Sequence, residues 1–263
     1  RSFFPTGFCL MSEEKIHKEF CHLPGLEEKS SLILAVTGGG GKTSLIIRLA
    51  QEWAALKKKV LITTTTHMAW DPECPFVNCG PENSKEPDIL RKEVERKSAA
   101  TGYVFVAAHE AGNPKISRPE VRLPELKSLC DILLIEADGS RGLPLKFPEI
   151  WEPAIPEEAE AVIAVAGLDA IGRPLKEVMH RPASGAEFLK KSLDERIETD
   201  DMIKLAESPL ALRKNMGDRP YLIYFNKTDI VSREVWEHIL HQCEKKGIPA
   251  KAGSLKKGFW YEV

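Results

Sequence analysis

The sequence predicts an α/β fold with a mostly parallel sheet. From residue 32 onward, apolar runs typical of buried strands alternate with amphipathic stretches typical of helices. The first such strand, residues 32–36, runs into four consecutive glycines, and a helix begins at residue 42. Polar and acidic residues follow several later strands, at the carboxyl ends where open α/β sheets bind ligands. The sequence therefore places a ligand site at one edge of the sheet.

The individual elements follow one another in the order that this fold requires. Strands are predicted at residues 32–36, 60–62, 102–108, 131–135, 161–166, 221–225 and 248–252. Helices are predicted at residues 42–57, 88–98, 124–129, 184–192, 199–213 and 233–246. The expected parts are a lead-in over residues 1–29, one domain over 30–255 with an irregular insertion at 143–160, and a tail over 256–263. Residues 1–10 are set aside as a non-native extension, because Met11 looks like a natural start.

Composition and charge narrow the function classes. The 263 residues are 43% hydrophobic, which suffices for one large globular domain. A formal net charge of −2 gives no support for binding to nucleic acid or to a membrane surface. No apolar run approaches the roughly 20 residues that cross a bilayer, and no secretory signal is recognisable. The six scattered cysteines fit no common zinc motif, so we expect reduced thiols and a cytoplasmic protein.

A glycine loop after the first strand predicts a phosphate site. Its residues are Gly38, Gly39, Gly40, Gly41, Lys42, Thr43 and Ser44. Glycines let backbone N–H groups approach a phosphate chain, and the amino end of the helix adds its positive dipole. Lys42 is expected to reach the outer phosphates and the Thr43 hydroxyl to ligate Mg²⁺. The usual loop has a glycine where this chain has Val36, and the shorter spelling is similar to that of Mur-type ligases and several P-loop accessory proteins.

An acid follows the strand predicted at residues 131–135. Glu136 stands where a Walker B carboxylate holds Mg²⁺ directly or through water. Asp138 is the rival metal ligand, and the sequence does not choose between the two. Gly139 completes an acid-x-x-Gly pattern typical of a switch that senses the terminal phosphate. Arg141 is a candidate for stabilising charge on a transferring phosphoryl group, or for pairing with a carboxylate.

A base-recognition motif follows the strand predicted at residues 221–225. Asn226, Lys227 and Asp229 form the Asn-Lys-x-Asp pattern by which P-loop GTPases recognise guanine. The aspartate accepts two hydrogen bonds from guanine, whereas adenine offers neither donor and would leave a buried carboxylate unpaired. The lysine stem is expected to cover the base and the asparagine to brace the loops. The motif therefore favours GTP over ATP without excluding ATP.

Candidate substrate contacts follow two other strands. Thr64, Thr65, Thr66 and His67 stand at the carboxyl end of the strand that begins at Val60, on the expected ligand side of the sheet. The remaining candidates are Asp169, His180 and Arg181. Each of these residue types is also common in purely structural roles.

The motifs together resemble known accessory proteins. In order along the chain, the glycine loop, Glu-x-x-Gly and Asn-Lys-x-Asp resemble the metallochaperone GTPases that assist urease and hydrogenase maturation. More specifically, five segments resemble the YqeC family: VTGGGGKTSL, VLITTTTHM, LLIEADGSRGLPLKFP, VAGLDAIGRPL and HRP. That family is known as accessory proteins of selenium-dependent molybdenum hydroxylases. The resemblance implies a P-loop NTPase-like three-layer sandwich and a role in building or inserting a selenium-containing molybdenum cofactor.

Three functions are compatible with these motifs. The first is Mg²⁺-dependent hydrolysis of GTP or ATP coupled to cofactor maturation, with candidate catalytic residues Lys42, Glu136, Asp138 and Arg141 and candidate metal ligands Thr43 and Glu136. The second is a transferase or ligase in which the nucleotide activates a small cofactor precursor. The third is a non-catalytic scaffold that binds nucleotide as a signal. The expected partners are the nucleotide and a molybdenum hydroxylase or cofactor-maturation protein, and the resemblance to accessory GTPases implies a homodimer.

Overall fold

The computed structural model describes residues 15–26, 29–83 and 85–262 of the chain. The segment 1–10, which the sequence predicts to be a non-native extension, lies outside the described residues. The strands are β1 Lys15–His17, β2 Leu32–Gly38, β3 Val60–Thr64, β4 His67–Ala69, β5 Phe76–Asn78, β6 Tyr103–Ala107, β7 Lys115–Ser117, β8 Ile132–Glu136, β9 Leu145–Lys146, β10 Ala161–Gly167, β11 Met179–His180, β12 Tyr221–Asn226, β13 Ala250–Ser254 and β14 Phe259–Glu262. The α-helices are α1 Lys42–Ala55, α2 Pro87–Ser98, α3 Leu123–Lys127, α4 Leu175–Val178, α5 Pro182–Leu189, α6 Thr199–Glu207 and α7 Arg233–Lys245.

A ten-stranded sheet runs through the centre of the structure. Its strand order is β1-β14-β13-β12-β10-β2-β8-β3-β6-β5. Every pair from β13 to β5 is parallel, and β14 and β1 add antiparallel strands at one edge. The strands β2, β3, β6, β8 and β10 are buried along their whole length, as expected for parallel strands covered on both faces. The predicted α/β fold with a mostly parallel sheet is confirmed.

The two faces of the sheet carry separate hydrophobic cores. Successive side chains of a strand point to opposite faces, so Leu34 and Leu134 join one core while Ile33 and Leu133 join the other. The first core is covered by α1, whose Trp53 is 3% exposed, together with residues 20–26. The second core is covered by α2 to α7. This gives the three layers that the sequence predicts.

The central strand positions the glycine loop. Strand β2 lies between β8 and β10, and the next strand along the chain, β3, pairs with the far side of β8. The register places Val36 beside Glu136 and places Thr64 on the other side of Glu136. The strand order thus reverses direction around β2. Open α/β sheets bind ligands in the crevice that forms at the carboxyl ends of the strands at such a point.

Two short ribbons flank the central sheet. In one, β9 pairs with β11 in parallel, and β9 lies within the segment 143–160 that the sequence predicts to be irregular. In the other, β4 pairs antiparallel with β7, which lies in a proline-rich segment. The ribbons place Lys146 beside His180 and place His67 beside Ser117.

The two ends of the described chain complete the sheet. Strand β14 pairs with both β13 and β1, so residues 259–262 lie in the sheet, where the sequence predicts a tail. Trp260 is 2% exposed, its ring stacks on His17 with 4.1 Å between centroids, and its Nε1 donates to the Glu19 carbonyl at 3.0 Å. A four-residue strand is too short to show periodicity in sequence, and β1, one of its two partner strands, lies more than 240 residues away.

The described helices and cysteines bear on membrane crossing and on thiol chemistry. Within the described ranges, no helix has the length and apolar character to cross a membrane. The described cysteines, at positions 21, 74, 79, 130 and 243, are free thiols. Burial raises the pKa of Cys79 and of Cys243 to about 11, so both stay protonated and poorly reactive near neutral pH.

Replacing Trp260 by alanine tests whether the final strand belongs to the folding unit. Trp260→Ala removes a buried aromatic side chain, and we expect a loss of about 3–5 kcal/mol in the free energy of unfolding, measured by urea titration. Lys257→Ala, at an exposed residue of the same segment, is the matched control and should change stability by less than about 0.5 kcal/mol. Equal effects of the two substitutions would show that β14 contributes little.

Candidate functional site

A cleft of about 1710 Å³ opens at the carboxyl edge of the central sheet. Its walls come from the start of α1 and from the loops after β3, β8, β10, β12 and β13. The glycine loop, Glu136 and the Asn-Lys-x-Asp motif all line this cleft. Segments that are nearly 190 residues apart in sequence are therefore brought to one site.

The glycine loop is packed too tightly for side chains. A Cβ on Gly38, whose φ is +87°, would lie 2.1 Å from the carbonyl oxygen of Val165. A Cβ on Gly40, whose φ is +77°, would lie 2.4 Å from the backbone nitrogen of Gly167. Both the backbone conformation and the close approach of β10 therefore require glycine.

Part of this loop faces the protein interior. The N–H groups of its first three glycines donate to protein acceptors: Gly38 to Asp138 Oδ2 at 3.1 Å, Gly39 to Val165 O at 2.8 Å, and Gly40 to Leu143 O at 2.9 Å. The sequence assigns all four glycines to nucleotide binding, and the structure places Gly38 and Gly39 outside the lining of the cleft. The cleft-facing part runs from Gly40 to Ser44.

Helix α1 begins at this cleft. Gly41 precedes it with a φ of +135°, and no side chain caps the helix. The N–H groups of the first helical turn have no intrahelical acceptor, and the positive end of the helix dipole lies beside them. Lys42, Thr43 and Ser44 carry these groups and line the cleft. The start of α1 can therefore accept an anion.

Lys42 is held by polar groups from two directions. Only 4% exposed, it donates from Nζ to the Gly38 carbonyl at 2.9 Å and to Ser140 Oγ at 3.0 Å. Asp138 Oδ1 lies 3.5 Å from the same nitrogen. Asp138 does not line the cleft, since its carboxylate lies behind the glycine loop. Asp138 is thus placed to hold Lys42 and the Gly38 amide.

Glu136 faces the other side of the loop. Its Oε2 accepts a hydrogen bond from Thr43 Oγ1 at 2.7 Å, and the side chain lines the cleft. Burial raises the pKa of Glu136, and the charge of Lys42 and the Thr43 hydroxyl oppose this in part. A hydroxyl and a buried carboxylate are therefore joined at the start of α1, whereas the Asp138 carboxylate lies behind the glycine loop.

A chain of buried ion pairs connects Lys42 to the segment 143–160. Lys146 Nζ lies 3.5 Å from Asp138 Oδ2 and 3.0 Å from Glu152 Oε1. Arg181 donates to both oxygens of Glu152, at 3.1 and 3.2 Å. Burial acts to raise the pKa of Glu152, but hydrogen bonds from Arg181, the Glu149 amide and Lys146 lower it to about 2. The sequence analysis does not identify Lys146 or Glu152 as part of the site. Lys146 lies within the motif GLPLKFP and Glu152 follows it, and this position is the only sequence feature that could have indicated them.

The Asn-Lys-x-Asp residues line the cleft after strand β12. Asn226 Nδ2 donates to the Gly40 carbonyl at 2.9 Å, and its Oδ1 accepts from the Leu255 amide at 3.1 Å. Asn226 therefore braces the glycine loop against the loop after β13. Lys227 Nζ pairs with Asp169 Oδ2 at 2.5 Å.

Asp229 is exposed at the cleft, and one of its oxygens is held from behind. Its Oδ1 accepts a hydrogen bond from the buried Ser254 hydroxyl at 2.6 Å. This contact orients the carboxylate and leaves further lone pairs on both oxygens.

The predicted substrate contacts divide into two groups. Thr66, His67, Asp169 and His180 line the cleft. Thr64, Thr65 and Arg181 do not, because each side chain already serves the fold. The hydroxyls of Thr64 and Thr65 donate to the carbonyls of Glu136 and Ala154, at 2.9 and 2.8 Å, and Arg181 binds Glu152.

The matching region of a known family covers much of this site. The family model described as YqeC protein matches residues 34–183, which include the glycine loop, Glu136 and Arg141. The chain belongs to the YqeC family. In this YqeC-family chain the Asn-Lys-x-Asp residues lie beyond the matched region.

The chain is also similar to one curated protein and to two solved structures. The chain is 35% identical over 128 residues to "Uncharacterized protein YqeC" of Escherichia coli (strain K12), a match that covers 48% of this chain and 46% of that protein. Thus the chain spans about half the length of this relative. Among solved structures it is similar to the hydrogenase maturation factor HypB from Archaeoglobus fulgidus, with a TM-score of 0.37 and 14% identity over 89% of this chain and 86% of that one. It is also similar to PAB0955, a GTPase in apo form from Pyrococcus abyssi, with a TM-score of 0.32 and 12% identity over 87% and 92%.

Acid titration tests the ion-pair chain. The folded-state pKa of Glu152, about 2, lies below its ordinary value of 4.5, so its ionisation stabilises the fold above about pH 4.5 and this contribution is lost as the pH falls toward 2. Glu152→Gln should therefore cost about 3 kcal/mol in free energy of unfolding at pH 7, with a gap to wild type that narrows below pH 4.5. The exposed Glu158→Gln in the same segment is the control and should differ little from wild type at any pH.

Proposed function

We propose that this YqeC-family chain binds a nucleoside triphosphate with Mg²⁺, prefers GTP, and hydrolyses it. One observation carries the proposal: Lys42, the Thr43–Glu136 pair and Asp229 line one cleft. The groups expected to bind phosphate lie at the start of α1, after β2, and Asp229, expected to bind the base, follows β12, two strands away in the sheet. Three independent sequence motifs thus converge on a single ligand shape. Cytoplasmic localisation is part of the same proposal.

The donor set beside the glycine loop suits Mg²⁺. Thr43 offers a hydroxyl oxygen and Glu136 a carboxylate, and Mg²⁺ prefers such oxygen ligands. Within the described ranges, no group of three or more His, Cys, Asp or Glu side chains could hold a metal ion. A nucleotide-bound Mg²⁺ needs no such group, since phosphate oxygens and waters complete its coordination. A cation there would favour the ionised form of Glu136, which burial alone disfavours.

Hydrolysis would rest on positioning and charge. Phosphoryl transfer demands electrostatic stabilisation of three equatorial oxygens and an in-line nucleophile, and it needs no covalent residue. Lys42 and Arg141 line the cleft and supply positive charge, while Asp138 holds Lys42 from behind. When bound, Mg²⁺ supplies further charge neutralisation. We assign Glu136, with Thr43, to metal holding and give Asp138 a positioning role.

Membership of the YqeC family supports a proposal for the process that the nucleotide turnover serves. We propose that nucleotide turnover serves the maturation or insertion of a selenium-containing molybdenum cofactor in a hydroxylase, with that hydroxylase or a cofactor-maturation protein as partner and with a homodimer as the working form. Addition of the partner hydroxylase and its cofactor should raise turnover. Nucleotide that binds but is not hydrolysed even then would instead support a non-catalytic scaffold.

A transferase is the second candidate. The cleft continues past Glu136 to Thr66 and His67, which leaves space for a small acceptor beside the terminal phosphate. Transfer of the phosphoryl group to such an acceptor, in place of water, would appear as acceptor-dependent nucleotide consumption without matching release of free phosphate.

Substitution of Asp229 tests the base assignment. Removing its two hydrogen bonds with Asp229→Ala should weaken GTP binding about 10–100-fold and leave ATP binding unchanged, as measured by calorimetry with Mg²⁺. Asp229→Asn is a sharper variant, because its amide can donate to the 2-oxo group of xanthine and should shift preference toward xanthosine triphosphate. Equal affinity of the wild type for GTP and ATP would contradict the assignment.

The phosphate and metal roles are tested by two substitutions in α1. Lys42→Ala should reduce turnover by about 100-fold or more through loss of transition-state charge stabilisation. Thr43→Ala should weaken the Mg²⁺ dependence of nucleotide binding, whereas Thr43→Ser, which keeps the hydroxyl, should retain it. Full affinity and turnover in Lys42→Ala would remove the glycine loop from the site.

A further inference from the structure

The cleft is larger than one nucleotide requires. Small-molecule sites usually enclose roughly 300–1,000 Å³, and this cleft measures about 1710 Å³. The proposed nucleotide runs from the glycine loop after β2 past β10 to Asp229 after β12, a distance of about 10 Å at the usual strand spacing. On the opposite side of β2, away from Asp229, the cleft continues past Glu136 at the end of β8 to Thr66 and His67 after β3.

The far part of the cleft is positively charged. We call it the basic pole, and it is lined by His67, Lys115, Arg141 and His180. Lys115 and Arg141 are exposed, and within the described ranges neither side chain forms an ion pair. Two full positive charges and two imidazoles therefore face the same space with no carboxylate paired to them.

Glu136 and Glu152 are carboxylates on this side of the cleft, and both already have partners. Glu136 accepts a hydrogen bond from the Thr43 hydroxyl. Glu152 lines the wall, but Lys146 lies 3.0 Å from it and Arg181 donates to both of its oxygens. The surplus of positive charge also acts on His180. Burial lowers the pKa of His180, and the charges of Arg181, Lys146 and Arg141 lower it further against the opposing charge of Glu152.

We propose that the basic pole binds the oxyanion group of a second small substrate, a phosphate or a carboxylate, next to the terminal phosphate of the nucleotide. Arg141 and Lys115 supply its positive charge, and His180 supplies a hydrogen bond from a ring nitrogen. The position beside the nucleotide rests on the proposed function; the anion site itself rests on the charges and the shape of the cleft.

Binding at this pole is linked to protonation of His180. The groups that act on its imidazole are Arg181, Lys146 and Arg141, which disfavour the protonated form, and Glu152, which favours it. A bound anion adds negative charge, so it raises the His180 pKa, and by reciprocity the anion binds more tightly as the pH falls through that range.

The test follows the His180 ring resonance by NMR, assigned with His180→Gln, in protein saturated with Mg²⁺ and a non-hydrolysable triphosphate analogue. Inorganic phosphate and acetate are titrated at constant ionic strength, with chloride as the reference salt. We expect a saturable shift and a raised His180 pKa with phosphate, with acetate, or with both, which also identifies the group that the pole accepts. Absence of any response beyond chloride overturns the proposal.

Two cations of the same segment provide the matched pair. Lys115 lines the cleft, whereas Arg118 is exposed and lies outside it. Lys115→Ala should weaken the anion response about fivefold, and Arg118→Ala should leave it unchanged. Equal losses in the two variants would mean non-specific attraction and would overturn the site.

Failure of the nucleotide proposal can be told apart from failure of this one. If calorimetry detects no nucleotide, the titration is repeated without nucleotide on the wild type and on Lys115→Ala. A His180 response that depends on Lys115 supports the basic pole alone, and a response that is absent or equal in the two proteins overturns it.

Discussion

The buried ammonium group of Lys42 is the constraint on which the site depends. A charged side chain that is 4% exposed must be matched by polar partners, because desolvation of an unpaired charge costs several kcal/mol. Gly38, Ser140 and Asp138 provide those partners. Asp138 in turn pairs with Lys146, Lys146 pairs with Glu152, and Glu152 pairs with Arg181. The position of one lysine thus fixes the conformation of loops from four parts of the chain.

The sequence predicts most of the fold because strands in a parallel sheet are apolar throughout. Runs such as those of β2, β8 and β10 are recognisable without any partner, and glycine or acid residues mark their ends. Short strands cannot be predicted in this way, because they contain too few residues to form a recognisable apolar run. Strand β14 pairs with the nearby β13 and with β1, and its contacts with β1 and with the Glu19 carbonyl span more than 240 residues.

The candidate site is predictable where a motif is local. Lys42, Thr43 and Ser44 follow the glycines directly, and Asn226, Lys227 and Asp229 form one segment, so spacing alone indicates their roles. Residue type does not say which way a side chain points. Thr64 and Thr65 resemble ligand contacts in sequence, yet each hydroxyl satisfies a backbone carbonyl. The difference between Glu136 and Asp138 likewise depends on which face of the loop each acid meets, and that is set by tertiary contacts.

The brace formed by Asn226 has a consequence for synthesis of the chain. The glycine loop leaves the ribosome early, but the amide that holds Gly40 from the other side belongs to a residue made 186 positions later. Closing a contact of that length costs more chain entropy than forming local ones, and it can only happen late. A nascent chain therefore carries an unbraced loop until nearly all of its strands exist. The glycine loop therefore takes its braced conformation only in chains whose translation has passed β12.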